Sequence, residues 1–212
     1  MEERNVTITI DKAREWYNSE NESLKEIALQ AFNENELNFD FRSIKSLSDA
    51  CSVLDLNYNE ILSELCYIKR ISKASAAMFK LNIVKKALNL GQELSFTENP
   101  KDSYICYPFN PIIRRDSTCY SAEIKAGKMK IVGKFKVEGE IYLILGDSAT
   151  TSLTCFSGLG TFNPKNGSGF SNIVFLGCAS REIAEHFSKY FGTLITEAKY
   201  GDLKGFEIIR IF

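Results

Sequence analysis

Residues 128–145, with the sequence KMKIVGKFKVEGEIYLIL, alternate apolar and charged side chains. Successive side chains of a β-strand point to opposite faces, so this alternation predicts strands with one buried face. Gly139 interrupts the segment and marks the predicted turn of an antiparallel hairpin. The positions predicted to lie on the buried face are Met129, Ile131, Phe135, Val137, Ile141, Leu143 and Leu145.

The charged residues of this hairpin predict an exposed face rich in lysine. The alternation places four lysines on it: Lys128, Lys130, Lys134 and Lys136. Such a face either keeps the sheet solvated and discourages edge-to-edge association, or binds a small anionic ligand. Glu138 and Glu140 are candidates to neutralise it by cross-strand pairing. The whole chain carries 26 basic and 27 acidic residues, a net charge of −1, which disfavours nucleic acid as the partner.

The two halves of the chain differ in their content of helix-breaking residues. No proline or glycine precedes Gly91, whereas the remaining glycines follow position 126 and all 4 prolines lie between Pro100 and Pro164. This shift predicts a helical module over residues 1–95. A mainly antiparallel β module with one C-terminal helix follows over residues 96–212, so the predicted fold class is α+β.

Capping residues mark where the predicted helices begin. A short polar residue followed three positions later by an acidic one is typical of a helix N-terminus. Ser180 predicts a last helix from Arg181 to about Phe191, and the long helical stretch before Gly91 is expected to divide near Ser72. The predicted caps of the N-terminal helices are Asp11, Ser23, Asn33, Ser46 and Asn57.

Residues 148–172 carry a single charge, Lys165, and are rich in glycine, serine, threonine and phenylalanine. Long loops in compact domains usually have a function, so this segment is the predicted recognition surface. Its glycines complete neither a P-loop nor a dinucleotide fingerprint. Backbone N–H groups and a stacking wall of phenylalanines nevertheless make small-molecule or nucleotide binding the alternative. The candidate binding residues are Phe156, Phe162, Phe170, Gly158 and Gly160.

Residues suited to catalysis are scarce. The chain has 1 histidine, His186, which excludes mechanisms that need two, and no spacing predicts a metal site or a cofactor. Cys178 lies just before the helix that carries His186, but the start of that helix separates the two side chains. A Cys-dependent hydrolase is therefore the least favoured alternative. We expect a binding protein rather than an enzyme.

The cysteines and the N-terminus bear on the compartment. The 6 cysteines lack the close pairs of zinc or redox motifs, so we expect them to be reduced. The N-terminal residues contain no apolar run of signal-peptide length, and no stretch of about 18 apolar residues occurs. These features predict a cytoplasmic protein that does not enter a membrane.

Five segments carry a resemblance to a known group of proteins. They are residues 12–18, KAREWYN; 24–32, LKEIALQAF; 75–82, SAAMFKLN; 175–179, FLGCA; and 197–202, EAKYGD. In these segments the chain resembles proteins from prophages and phages of gut Bacteroidetes, a group to which no activity is assigned. The resemblance implies a role in a phage or mobile element and a bacterial host cell. The expected function is therefore non-enzymatic binding or assembly, with a protein partner or further copies of the same chain.

Overall fold

The computed structural model of the chain describes residues 8–90, 106–147, 149–151, 168–170 and 176–209. Helices occupy most of the N-terminal half, and strands and two further helices follow. The helices are α1 Ile10–Tyr17, α2 Glu22–Ala31, α3 Glu34–Leu37, α4 Leu47–Val53, α5 Tyr58–Ile71, α6 Lys73–Leu88, α7 Ser121–Lys125 and α8 Arg181–Tyr200. The strands are β1 Cys106–Pro108, β2 Pro111–Arg114, β3 Lys130–Val137, β4 Glu140–Gly146, β5 Ala149–Thr151, β6 Ser168–Phe170 and β7 Glu207–Ile209. The predicted α+β class is confirmed.

Most of the predicted helix starts are confirmed by hydrogen bonds from the backbone to the capping side chain. The caps found where the sequence predicts them are Asn33, Ser46, Asn57 and Ser180. The predicted division near Ser72 is also confirmed, and Ser72 itself caps α6. Two predictions are wrong, because Thr9 caps α1 in place of Asp11 and Asn21 caps α2 in place of Ser23. In both cases another side chain able to cap a helix lies two residues earlier. The last helix is also longer than predicted and ends at Tyr200.

Two antiparallel sheets form within the described residues. The larger has the strand order β6-β2-β4-β3-β7, and the smaller pairs β1 with β5. The predicted hairpin is β3 and β4, and it turns through Glu138 and Gly139, whose φ angles are 50° and 89°. Positive φ at both central residues is typical of a two-residue hairpin turn, and glycine adopts it without a Cβ penalty.

The two-residue turn corrects the predicted faces of the hairpin. It pairs Val137 with Glu140, so that Phe135 lies opposite Tyr142 rather than opposite an odd-numbered residue. Tyr142 and Ile144 therefore share the buried face with Phe135 and Val137. The prediction that the odd-numbered residues of β4 lie on that face is wrong, since directly opposed residues point to the same side.

A β-bulge at Val132 reverses the alternation within β3. Ile131 pairs with Leu145 and Gly133 pairs with Ile144, which leaves Val132 without an opposite residue. Val132 points towards α8, and Ile131 is 42% exposed instead of buried as predicted. The inserted residue also moves Lys130 to the side of the sheet opposite to Lys134 and Lys136.

The largest apolar core joins residues from both halves of the chain. Its buried members come mainly from α4, α6, β1 and α8 and include Leu81, Leu88, Phe187 and Ile195. A second cluster lies between the larger sheet and the C-terminal end of α8. Residues of α1, α2 and α3 form a separate small cluster around Ala13 and Ala28. Helix α8 is therefore the element that connects the helical part with the sheet.

Glycines allow α8 to approach the sheet closely. A Cβ at Gly146 would lie 2.7 Å from the Ser188 carbonyl oxygen, and one at Gly192 would lie 2.8 Å from Cγ2 of Val132. The Asn110 amide nitrogen spans the same contact, donating to the carbonyl oxygens of Leu145 at 2.8 Å and Ser188 at 3.0 Å. The absence of side chains at these points sets the distance between helix and sheet.

Asp202, which follows α8, stabilises the first turn of α6. Its carboxylate accepts hydrogen bonds from the Ser72 hydroxyl and from the backbone N–H groups of Lys73 at 2.8 Å and Ala74 at 3.2 Å. The Ser72 hydroxyl first, and then the Ala74 N–H group, lower the pKa of this carboxyl below its ordinary value. The contact ties the N-terminus of α6 to the end of α8.

Asp202→Asn is expected to lower the urea midpoint of unfolding at about pH 7 but hardly at about pH 2. The folded-state pKa of Asp202 is lowered, so the stabilisation is present above the ordinary pKa of aspartate and is lost as the pH falls through the folded value. Asp116→Asn is the matched control, because Asp116 is exposed and contacts Arg114 at 3.3 Å. An equal effect of Asp202→Asn at both pH values would contradict the assignment.

None of the helices in the described parts of the chain is long and apolar enough to cross a membrane.

Candidate functional site

A cleft of about 350 Å³ lies where the segment 41–45, the N-terminal half of α8 and the end of β4 meet. It contains both positive and negative side chains together with two aromatic rings. The residues lining it are Phe41, Arg42, Lys45, Asp147, Glu182, Glu185, His186, Lys189 and Tyr190. The cleft thus brings together residues from three distant parts of the sequence.

Local structure fixes each wall of the cleft. The α8 residues that line it are three, four, seven and eight positions after Glu182, a spacing that places them along one side of a helix. The opposite wall is held by two aspartates. Asp40 accepts a hydrogen bond from the Arg42 N–H group at 2.9 Å, and Asp49 accepts one from the Lys45 N–H group at 2.9 Å. Both walls are therefore set by backbone hydrogen bonds.

His186 joins the two walls. Its Nε2 lies 2.6 Å from the carbonyl oxygen of Ile44. A carbonyl oxygen only accepts, so Nε2 carries the hydrogen and donates. The ring also packs against Phe41 and Tyr190, with centroid distances of 5.5 and 4.6 Å.

The pKa of His186 is lowered below its ordinary value, first by burial and further by the nearby charges of Lys45 and Lys189. The Ile44 carbonyl opposes this shift but does not cancel it. The imidazole is thus neutral at about pH 7.

Two lysines of the cleft flank the ring of Tyr190. The ammonium nitrogens of Lys45 and Lys189 lie 5.7 and 5.2 Å from its centroid, within the range of cation–π attraction. Among the described residues, neither lysine forms an ion pair with a carboxylate. In the described parts of the chain, these two ammonium groups thus form no salt bridge, although the charge of Lys45 contributes to lowering the pKa of Asp49.

The acidic residues of the cleft are engaged elsewhere. Asp147 contacts the Lys130 ammonium group at 2.6 Å, and Glu185 contacts Arg181 at 2.8 Å. The pKa of Glu182 is lowered by its own backbone N–H group and then by the Ser180 hydroxyl, so this carboxylate interacts with the N-terminus of α8. These pairings leave the positive charge of Lys45 and Lys189 available to a ligand.

The predicted lysine face is divided in the structure. Lys130 lies beside the cleft because of the bulge at Val132, and Lys128 is exposed just before β3. Lys134 lies opposite Leu143, and Lys136 lies opposite Ile141 on one side and Glu207 on the other. Glu140 contacts Arg114 at 3.5 Å rather than one of these lysines. The four lysines therefore do not form one continuous surface.

Most of the predicted recognition surface lies outside the described residues. This applies to Phe156, Phe162, Gly158 and Gly160. Phe170 belongs to β6, where its backbone pairs with Pro111 of β2. The recognition role of residues 148–172 stays a prediction.

The structure separates the two groups of the candidate thiol site. Cys178 is fully buried and forms an isolated β-bridge with Cys106, and its thiol donates to the Leu176 carbonyl oxygen at 3.4 Å. Burial raises its pKa well above the ordinary value, and the Cys106 thiol adds to the shift. His186 bonds to Ile44 instead. The pair therefore has no route to an activated thiolate in this arrangement.

Sequence reasoning missed Phe41, Lys45, Lys189 and Tyr190. The helical spacing of Glu182, His186 and Lys189 was a usable signal for one wall of the cleft. No pattern links that helix to residues 41–45. Within the described residues, no group of three or more histidine, cysteine, aspartate or glutamate side chains is arranged to hold a metal ion.

Comparisons with protein-family models, with curated proteins and with solved structures give no significant match to this chain.

Proposed function

We propose that this chain is a binding protein and not an enzyme, and that the cleft beside His186 takes the anionic group of a small ligand. One observation carries the proposal: the ammonium groups of Lys45 and Lys189 flank Tyr190 while the neighbouring carboxylates are paired with other groups. A phosphate or carboxylate would complete this arrangement with charge-assisted hydrogen bonds.

The size and polarity of the cleft are consistent with such a ligand. Its volume of about 350 Å³ lies at the lower end of the range of small-molecule sites. His186 is already held by the Ile44 carbonyl, and the buried Cys178 thiol faces a backbone oxygen. These two contacts favour a positioning role for the histidine and a packing role for the cysteine, which supports binding without chemical conversion.

Titration calorimetry with inorganic phosphate, adenosine monophosphate and a dicarboxylate tests the proposal. At least one probe is expected to bind and to be recovered unchanged. Lys45→Ala and Lys189→Ala should each weaken binding about tenfold or more, because a hydrogen bond to a charged group contributes about 1.5–3 kcal/mol. Raising the salt concentration should weaken binding further.

A double variant of the sheet lysines provides the matched control. Lys134→Ala combined with Lys136→Ala removes two positive charges from the predicted lysine face, one more than either cleft variant removes, and should leave probe affinity unchanged. If this control weakens binding as much as the cleft variants do, the lysine face is the binding site and the cleft is not. Failure of all three probes to bind the unmodified chain would overturn the proposal.

The assembly role expected from the sequence, and an origin in a phage or mobile element, belong to the same proposal of non-enzymatic binding. Their support is the sequence resemblance and the composition of residues 148–172. Recovery of a partner with the intact chain, and its loss when residues 156–162 are replaced by a glycine–serine linker, would support the recognition role of that segment.

A further inference from the structure

Helix α5 exposes apolar side chains that the fold itself does not cover. Leu65 is the one α5 residue that is fully buried, whereas Tyr67 is 70% exposed and Ile71 is 89% exposed. The two side chains lie on neighbouring turns of one helix and form a small exposed apolar patch, the kind of surface that a partner can cover.

These two residues continue a stripe that begins with two glutamates. Glu60, Glu64, Tyr67 and Ile71 follow one another at intervals of four, three and four residues. That spacing places them along one line of the helix surface. The stripe is therefore acidic towards the start of α5 and apolar towards its end.

A groove with the complementary pattern lies beside the stripe, between α5 and α6. It consists of two adjoining cavities of about 440 and 460 Å³ that share Phe79 and Asn82. Ile68 and Met78 line the cavity near the end of α5. Lys85 and Lys86 line the other cavity, next to Ile61 near the start of α5. The groove is thus basic at one end. At the other it combines apolar side chains with Asp202, whose carboxylate is bonded to Ser72 and to the first turn of α6.

We infer that the groove binds the α5 stripe of a second copy of this chain, and that the stripe of the first copy occupies the groove of the second. The two helices α5 would lie side by side and parallel. Tyr67 and Ile71 of the second copy then meet Phe79 and Ser75, and Glu60 meets Lys86. A twofold axis along the helices makes both sets of contacts equivalent, as a closed dimer requires.

The lengths of the two surfaces agree with this arrangement. Glu60 to Ile71 and Ser75 to Lys86 are both separated by eleven positions, so each extends about 16 Å along its helix. Glu64 and the two groove lysines form no ion pair among the described residues. Their charges are therefore available to the second copy. The inference does not depend on the ligand proposed for the cleft beside His186.

Sedimentation velocity over a range of protein concentrations tests the dimer. The unmodified chain is expected to associate reversibly into dimers, and Ile71→Asp should abolish the association because it would bury an unpaired carboxylate. Leu29→Asp is the matched control, since Leu29 is 48% exposed on α2. It should leave the dimer intact.

A charge-exchange experiment identifies the contact itself. One variant carries Glu60→Lys and Glu64→Lys, and the other carries Lys85→Glu and Lys86→Glu. Each should be monomeric alone, because like charges would face each other across the twofold axis. Mixed in equal amounts, they should form a heterodimer in which both contacts are complementary, a result that misfolding could not produce. A monomeric unmodified chain, or a mixture that stays monomeric while circular dichroism shows both variants folded, would overturn the inference.

Discussion

Replacing Phe187 with alanine is expected to lower the free energy of unfolding by about 3–5 kcal/mol. The Phe187 side chain is fully buried in the core that α4, α6, β1 and α8 share, and it contacts Phe191 edge-on with a centroid distance of 5.6 Å. The loss combines the transfer free energy of the ring with the cavity left behind, which the packed helices can close only in part. Chemical denaturation followed by circular dichroism measures the change.

The same variant tests whether the two halves of the chain unfold together. Because the core contains residues from both sides of the predicted boundary at 95/96, amide exchange should accelerate in α6 as well as in α8 and in the β3–β4 hairpin. Leu29→Ala is the control, since Leu29 is 48% exposed and its truncation should change stability by less than about 0.5 kcal/mol. Exchange that accelerates in α8 and the hairpin alone would indicate that the halves are separate folding units.

The helix starts were predictable because capping chemistry is local. Asn33 and Ser46 each bond to a backbone N–H group three residues away, so the signal lies within a few positions. The error at α2 arose where Asn21 and Ser23 both suit the cap. Hydrogen-bonding type alone does not rank two neighbouring candidates.

The faces of the hairpin required information that simple alternation does not contain. Strict alternation places the odd-numbered residues on the buried face both before and after the turn. A two-residue turn instead makes an odd-numbered residue lie opposite an even-numbered one, so the buried positions change from odd to even after it. The bulge did leave a trace in the sequence, because Ile131 and Val132 are consecutive apolar residues followed by Gly133. Recognising that interruption would have placed Lys130 on the opposite side from Lys134.

Only one of the two walls of the cleft could be predicted from the sequence. The α8 wall follows from helical spacing, whereas the segment 41–45 reaches it through one hydrogen bond from His186 to Ile44, which lie 142 positions apart. A contact of this kind depends on the packing of α8 against the rest of the core. A single sequence carries no periodic signal for it.

Gly133→Ala is expected to destabilise the chain by about 1–3 kcal/mol, because it overpacks the contact between β3 and α8. A Cβ at this position would overlap the Cγ2 methyl group of Thr193 and lie 3.1 Å from Cδ1 of Ile144. Threonine in a helix divides between two χ1 rotamers, and either a change of rotamer at Thr193 or a shift of β3 away from α8 would disturb the packed contact. Lys136→Ala is the control on the same strand, because Lys136 is exposed and its truncation opens no contact with α8.

A second substitution tests the cause directly. Thr193→Ser removes the methyl group that an alanine at position 133 would overlap and keeps the hydroxyl. Combined with Gly133→Ala, it should recover most of the lost stability, with a coupling free energy of about 1–2 kcal/mol in a double-mutant cycle. If the effects of the two substitutions are additive, the stability lost in Gly133→Ala arises within β3 and not from its contact with α8. Recovery would show that the absence of side chains along this contact sets the distance between helix and sheet. The same distance also shapes the cleft between α8 and residues 41–45.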